Sequence, residues 1–163
     1  DDPAMGLGLD QRDLEQLFDE NMASMVSSQW YVSTTGNPAV AVLPIANETT
    51  EHVDSQLDAF ISMIEDELVN TGRFTVVSQE LREEILRELH LQQGGEFDQS
   101  RAVSVGRQLG IHYFVTGRVY DNTERSADMR RVQYFMFLQA VSVETGAIVW
   151  SNRANLTKGV VPM

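Results

Sequence analysis

No cysteine occurs anywhere in this chain, and lysine occurs once, at Lys158. Without thiols there is no disulfide, no cysteine nucleophile and no thiolate metal site, so stability is independent of the redox state of the compartment. A phosphate-binding loop needs a lysine behind a glycine-rich turn, and none is placed there. Long apolar runs are also missing: nothing approaches the roughly 20 residues of a membrane-crossing helix, and no signal-peptide pattern opens the sequence at Asp1. Bases are scarce in the first half. Residues 1–71 carry 14 acids against Arg12 alone, whereas residues 72–163 carry 10 acids and 11 bases. The net charge of −12 disfavours nucleic acid and anionic lipid as nonspecific partners. An acidic half beside an arginine-bearing half suits a protein partner, although solvated helix faces explain the acids equally well.

At 163 residues the chain is expected to form one domain with a single core. Residues 1–8 read as a disordered linker or cloning remnant, 9–30 as an N-terminal helix and 39–157 as the core. Asp10 is a good N-cap for that helix, with Leu14, Leu17, Phe18, Met22 and Met25 on one face. Ala39–Ala46 reads as a buried strand in which Pro44 marks an end, an edge or a bulge. Leu57, Phe60, Ile61, Ile64 and Leu68 form one helical stripe, with Asp54 or Ser55 as its cap and Gly72 as its stop. Phe74–Val77 is then a strand parallel to the first. Ser78 caps a helix that turns Leu81, Ile85 and Leu89 inward. After the Gln92–Phe97 loop, Asp98 caps a shorter helix ending at Gly110.

Ile111–Asp121, Arg131–Glu144 and Ala147–Leu156 complete the chain as an antiparallel meander, with Gly146 supplying the positive φ of a tight turn. The fold class is therefore α/β in the α+β sense: a mixed sheet of about five strands, a β-α-β crossover, two helices, a three-stranded meander and an extra N-terminal helix. Both faces of the meander are apolar near its middle. Tyr134, Met136 and Leu138 alternate with Phe135, Phe137 and Val141. The central helices are expected to cover one face and the N-terminal helix the other, unless part is left for a partner.

Reactive chemistry is not in view. His52, His90 and His112 lack companions at ligand spacing, Glu65-Asp66-Glu67 lies opposite the apolar stripe, and Gly94-Gly95 lacks the third glycine of a dinucleotide site. The expectation is no enzyme, no cofactor and no metal. Arginine and tyrosine of the meander are the best contact residues, because a forked cation and a flat amphipathic ring anchor protein interfaces. Arg118, Tyr120, Arg125, Arg130, Arg131 and Tyr134 make up that candidate surface, with Arg153 nearby. Pairing with Asp121, Glu124 and Asp128 is the plainer reading of any one arginine.

Four segments together resemble a known family. They are Val-Ala-Val-Leu-Pro-Ile-Ala-Asn-Glu-Thr (40–49), Gly-Arg-Phe-Thr-Val-Val (72–77), Gly-Arg-Gln-Leu-Gly-Ile-His-Tyr-Phe-Val-Thr-Gly-Arg-Val (106–119) and Val-Glu-Thr-Gly-Ala-Ile-Val-Trp-Ser (143–151). In this order they resemble the LpoB-type outer-membrane lipoproteins, activators of bifunctional penicillin-binding proteins. The resemblance implies a non-enzymatic periplasmic protein-binding module, monomeric, whose partner is such a peptidoglycan synthase. It also implies a lipid anchor on an upstream cysteine at the periplasmic face of the outer membrane. The same strand–helix–strand block is similar to the periplasmic part of the curli secretion pore and the N-terminal domain of the TolB translocation protein, so an assembly or secretion subunit is the alternative.

Overall fold

A computed structural model describes residues 7–91 and 97–160. The chain runs α1 (Gln11–Ser27), α2 (Gln29–Ser33), β1 (Ala39–Asn47), α3 (Asp54–Asn70), β2 (Thr75–Val76), α4 (Gln79–Glu88), α5 (Gln99–Leu109), β3 (Tyr113–Arg125), β4 (Arg130–Ser142) and β5 (Ile148–Val160). The five strands form one sheet in the order β2-β1-β3-β4-β5. β1 pairs parallel with β2 and β3, and β3–β4–β5 is antiparallel. The mixed sheet, crossover and meander expected from the sequence are all present.

The order of the strands decides where the helices lie. From β1 the chain steps outward to β2, then back across β1 to β3. Right-handed connections in opposite directions must put their helices on opposite faces. Hence α3 packs on one face (the back), with α1 and α2 beside it, and α4 and α5 pack on the other (the front). This corrects the expectation that the central helices share a face. α4 and α5 bury only the β1 end of the front, where Ala41, Leu43, Phe114 and Val143 meet Ile85, Ala102 and Val105. Among the described residues, no helix lies over the front of the β4–β5 half.

The back carries the larger core. Leu14, Leu17, Phe18 and Met25 of α1 pack on Met136, Leu138 and Trp150, and the Phe18 and Phe60 rings stack 4.2 Å apart. The expected 9–30 helix is in fact two. Ser28 leaves the helical region (φ −72°, ψ 152°) to close α1, and its hydroxyl accepts from the Tyr31 amide to start α2. Asp10 and Asp13 cap α1 reciprocally through each other's backbone N–H. α3 differs from expectation, since its N-cap is Val53 with no side-chain bond, and Asp54 instead places its charge in the first turn.

Pro44 sits in a register shift of β1 against β3, a bulge, as anticipated. β2 is shorter than expected. The meander is longer: β3 and β4 remain paired through Arg125 and Arg130, where the sequence read as loop. Cross-strand polar pairs such as Glu124–Arg131 hold that ribbon together. Gly146 takes φ 74° in the β4–β5 turn. The acidic run on α3 is less solvated than expected. Glu67 accepts the Tyr31 hydroxyl at 2.5 Å, and Glu65 lies 3.7 Å from Arg82 of α4. Burial, reinforced by that bond to Glu67, pushes the Tyr31 phenol up to about 12. Gly94-Gly95 lies outside the described residues.

Candidate protein-binding face

Side chains alternate along a strand, so the front of the meander is written in every second residue. On β3 these are Thr116, Arg118, Tyr120, Asn122 and Glu124. Opposite them in register on β4 stand Gln139, Phe137, Phe135, Gln133 and Arg131. β5 adds Ser151, Arg153, Asn155 and Thr157 against the same β4 residues. The backbone register therefore assembles the face from residues far apart in the chain.

At its centre is an arginine–aromatic cluster. The Tyr120 and Phe135 rings stack with centroids 4.8 Å apart and planes 12° from parallel. The Arg118 guanidinium lies 4.7 Å from the Tyr120 centroid and 5.9 Å from that of Phe137, and Arg153 lies 5.5 Å from Phe137 on the other side. Phe137 is thus flanked by a cation from each neighbouring strand. Each such contact at a partly exposed site contributes on the order of 0.5–1 kcal/mol and, more to the point, holds the long side chains in place. Tyr120, Phe135 and Phe137 stay half-buried although they lie under no helix. Arg118 also pairs with Glu48 at 3.2 Å, and Arg131 with Glu124 at 2.5 Å.

Next to the cluster, toward the C-terminal end of β1, an open groove of about 860 Å³ is lined by Glu48, Asp54, Asp58, Phe97, Arg118 and Phe137 among others. Gly117 lines the groove with backbone alone and faces the back, where a Cβ would collide with the core Leu138 side chain and the Phe137 carbonyl. β3 and β4 approach too closely at that pair for any other residue. No group of three or more metal-ligating side chains occurs among the described residues. What the face offers is forked donors, flat apolar rings and neutral amides, the ingredients of recognition.

The six residues singled out from the sequence divide between the two faces. Arg118, Tyr120 and Arg131 belong to the front. Tyr134 does not: it is 3% exposed in the back core, and its hydroxyl donates to the Leu7 carbonyl at 2.6 Å. Arg130 lines the back with Leu9, Glu51 and Val132, and Arg125, opposite Arg130 in register, alternates to the same side. Period-two alternation separates Arg130 from Arg131 and, across the register, Tyr134 from Tyr120, so a surface containing all six residues was never attainable. Phe135 and Phe137 were missed as contact residues; their signal was that alternation, once the other set is assigned to the core. His112 is exposed at the start of β3, and its Nδ1 accepts from the Ala39 amide at 3.1 Å.

An α+β domain that packs all its helices against one face and one end of a sheet, and leaves an arginine–aromatic face open, has the makeup of a binding domain. The comparisons give the family. The family model of the peptidoglycan-synthase activator LpoB matches residues 13–156, and the chain belongs to that family. Its members are outer-membrane lipoproteins that activate penicillin-binding proteins in peptidoglycan synthesis. The fold is similar to the LpoB C-terminal domain of Salmonella enterica at a TM-score of 0.59, with 20% identity over 88% of this chain and 98% of that one. For the Escherichia coli LpoB C-terminal domain the TM-score is 0.57, with 23% identity over 85% and 97% of the two chains. The solution structure of Escherichia coli LpoB matches at 0.56, with 21% identity over 88% of this chain and 68% of that chain. No curated protein matches the chain.

Proposed function

We propose that this domain is a non-catalytic, monomeric module that binds a bifunctional penicillin-binding protein in the periplasm and raises its rate of glycan polymerisation. The observation that carries the reading is the uncovered front of the β3–β4–β5 meander in a chain of the activator family. Three strands of 13 residues, roughly 4.8 Å apart, make a face on the order of 600 Å². That is close to the ~800 Å² one partner contributes to an interface of ordinary size. Arg118, Tyr120, Phe135 and Phe137 supply anchors of the enriched types, already ordered by their mutual stacking.

The way the chain enters the domain fits a tethered module. Leu7 and Gly8 are held on the back, by Tyr134 and by Lys158, whose Nζ donates to the Gly8 carbonyl at 2.9 Å. A linker from an upstream lipid anchor in the outer membrane would arrive there and leave the front clear. The family match lies with the activators, and no observation on the fold favours the secretion-pore alternative.

The test is to add the domain to a purified bifunctional penicillin-binding protein of the same organism and follow glycan-chain polymerisation. The wild-type domain should accelerate it, and a Tyr120→Ala/Phe137→Ala variant, folded but altered on the front, should not. An unchanged rate despite measurable binding would count against activation.

A further inference from the structure

The front carries three arginines, and they are not equivalent. Arg118 is neutralised by Glu48 and Arg131 by Glu124. Arg153 has no carboxylate within salt-bridge reach among the described residues. Its guanidinium is steadied over Phe137 at 5.5 Å, and its neighbours on the sheet are Ser151, Asn155, Gln139 and Phe135, none of them acidic. Arg153 is thus the front arginine with no carboxylate in reach among the described residues, half-way along the edge strand β5 of an open face.

Covering that guanidinium with an apolar partner surface would strip its water and give nothing back, a cost of several kcal/mol. A partner that seats stably over Phe137 must therefore bring acceptors to Arg153, and a carboxylate is the acceptor that matches both its charge and its fork. Resting on the reading of the front as the synthase-docking face, we infer that Arg153 is the anion anchor of that face, receiving an aspartate or glutamate of the synthase on its free fork. The groove at the opposite end, which adds Asp54 and Asp58 to the Glu48–Arg118 pair, repels an acidic patch. The two ends together set the direction in which the partner lies: its acidic side over β5, its neutral or basic side over β1.

An arginine on an edge strand can also serve simply to discourage strand-to-strand association. The experiment separates the two roles. Binding of the domain to the purified bifunctional penicillin-binding protein is measured by calorimetry at low and moderate salt. The domain variants are Arg153→Ala, Arg153→Gln, Arg130→Ala and Phe137→Ala, each checked for a wild-type melting temperature and a monomeric elution volume. Arg153→Ala and Arg153→Gln should each weaken binding by about thirtyfold or more and flatten its salt dependence. Arg130→Ala should change it by less than about threefold, since Arg130 is an exposed cation on the back. If both Arg153 variants keep wild-type affinity and salt dependence while Phe137→Ala loses binding, the face stands and the anchor is overturned. If the wild-type domain does not bind at all, the docking reading and the anchor fall together.

Discussion

Replacing Asn21 tests whether the back of the sheet holds the binding strands in place. Asn21 is fully buried in α1. Its amide nitrogen donates to the Leu17 carbonyl at 3.1 Å and to the Met136 carbonyl at 3.0 Å, and its oxygen accepts from Asn152 at 3.1 Å. One side chain thus ties α1 to β4 and β5, directly behind Phe135, Phe137 and Arg153. Asn21→Ala removes three hydrogen bonds and leaves a small void, but Asn152 is only half-buried and can turn to water. With about 1 kcal/mol net per bond and part of that recovered, the expected cost is about 2 to 3 kcal/mol. For a chain of this length that lowers the melting temperature by about 6 to 9 °C. Asn21→Asp should cost more at neutral pH, because a carboxylate would face two carbonyl oxygens it cannot donate to. Burial and those carbonyls raise its folded pKa above the ordinary value. Its penalty is therefore present above the folded pKa and shrinks as pH falls toward the unfolded one, near ~4, while that of Asn21→Ala stays constant. Urea titrations at pH 7 and pH 5 measure both. If the two variants are indistinguishable and each lies within about 0.5 kcal/mol of wild type, Asn21 does not hold the helix and the reasoning fails.

Gly117→Ala should destabilise the domain by at least about 3 kcal/mol, since its Cβ meets backbone as well as Leu138; a denaturation curve reads this directly. Lys158→Met removes the clasp on the start of α1, where Nζ lies 2.5 Å from Asp13 and 3.6 Å from Asp10, at an expected ~1 kcal/mol. Backbone bonding by Asp13, joined by Lys158, holds the Asp10 carboxyl below its ordinary 3.8, and Asp13 and Asp10 outweigh burial to raise Lys158 above 10.5. The clasp is therefore complete between those two ordinary values, is lost as pH falls through the lowered Asp10 value or rises through the raised Lys158 value, and the gap to Lys158→Met should close on acidification. Tyr134→Phe removes the bond to Leu7, at about 1 kcal/mol of stability, and should leave affinity for the synthase unchanged because Tyr134 is on the back.

What was legible in the sequence was local. The stripe from Leu57 to Leu68, the caps at Asp10, Ser78 and Asp98, the Pro44 bulge and the Gly146 turn each depend on neighbours a few residues away, and each is found. Ser28 escaped notice because one serine both ends α1 and begins α2, with no glycine or proline to mark the break. The polar stretch 122–125 and Arg130 looked like loop because their stability comes from pairing across the ribbon. Which face a helix covers is decided by strand order, and that is nonlocal. For this reason Tyr134 and Phe135, adjacent and equally aromatic, could not be assigned to core and surface from periodicity alone. The arginines were found by type, but their distinguishing property, whether an acid is already in reach, belongs to the assembled sheet.

A domain that contributes no reactive group can accelerate a synthase only through unequal affinity for the enzyme's conformations. A tenfold stimulation requires about 1.4 kcal/mol of tighter binding to the active form, within what one well-placed anchor supplies. Contacts on the front then fall into two kinds, and dose–response curves separate them. A residue that touches both forms equally, when replaced, shifts the curve to higher concentration and leaves the plateau of stimulation intact. A residue whose contact exists only in the active form lowers the plateau itself, because saturation no longer favours that form. Phe137, at the centre of the cluster and held from both sides by Arg118 and Arg153, is the residue for which the distinction should be sharpest. Phe137→Leu, which keeps apolar bulk but loses the ring face, should shift the curve if the ring only adds area. It should drop the plateau if the flanking cations position the contact that discriminates. A Phe137→Leu curve superimposable on wild type would show that the cluster takes no part in the coupling.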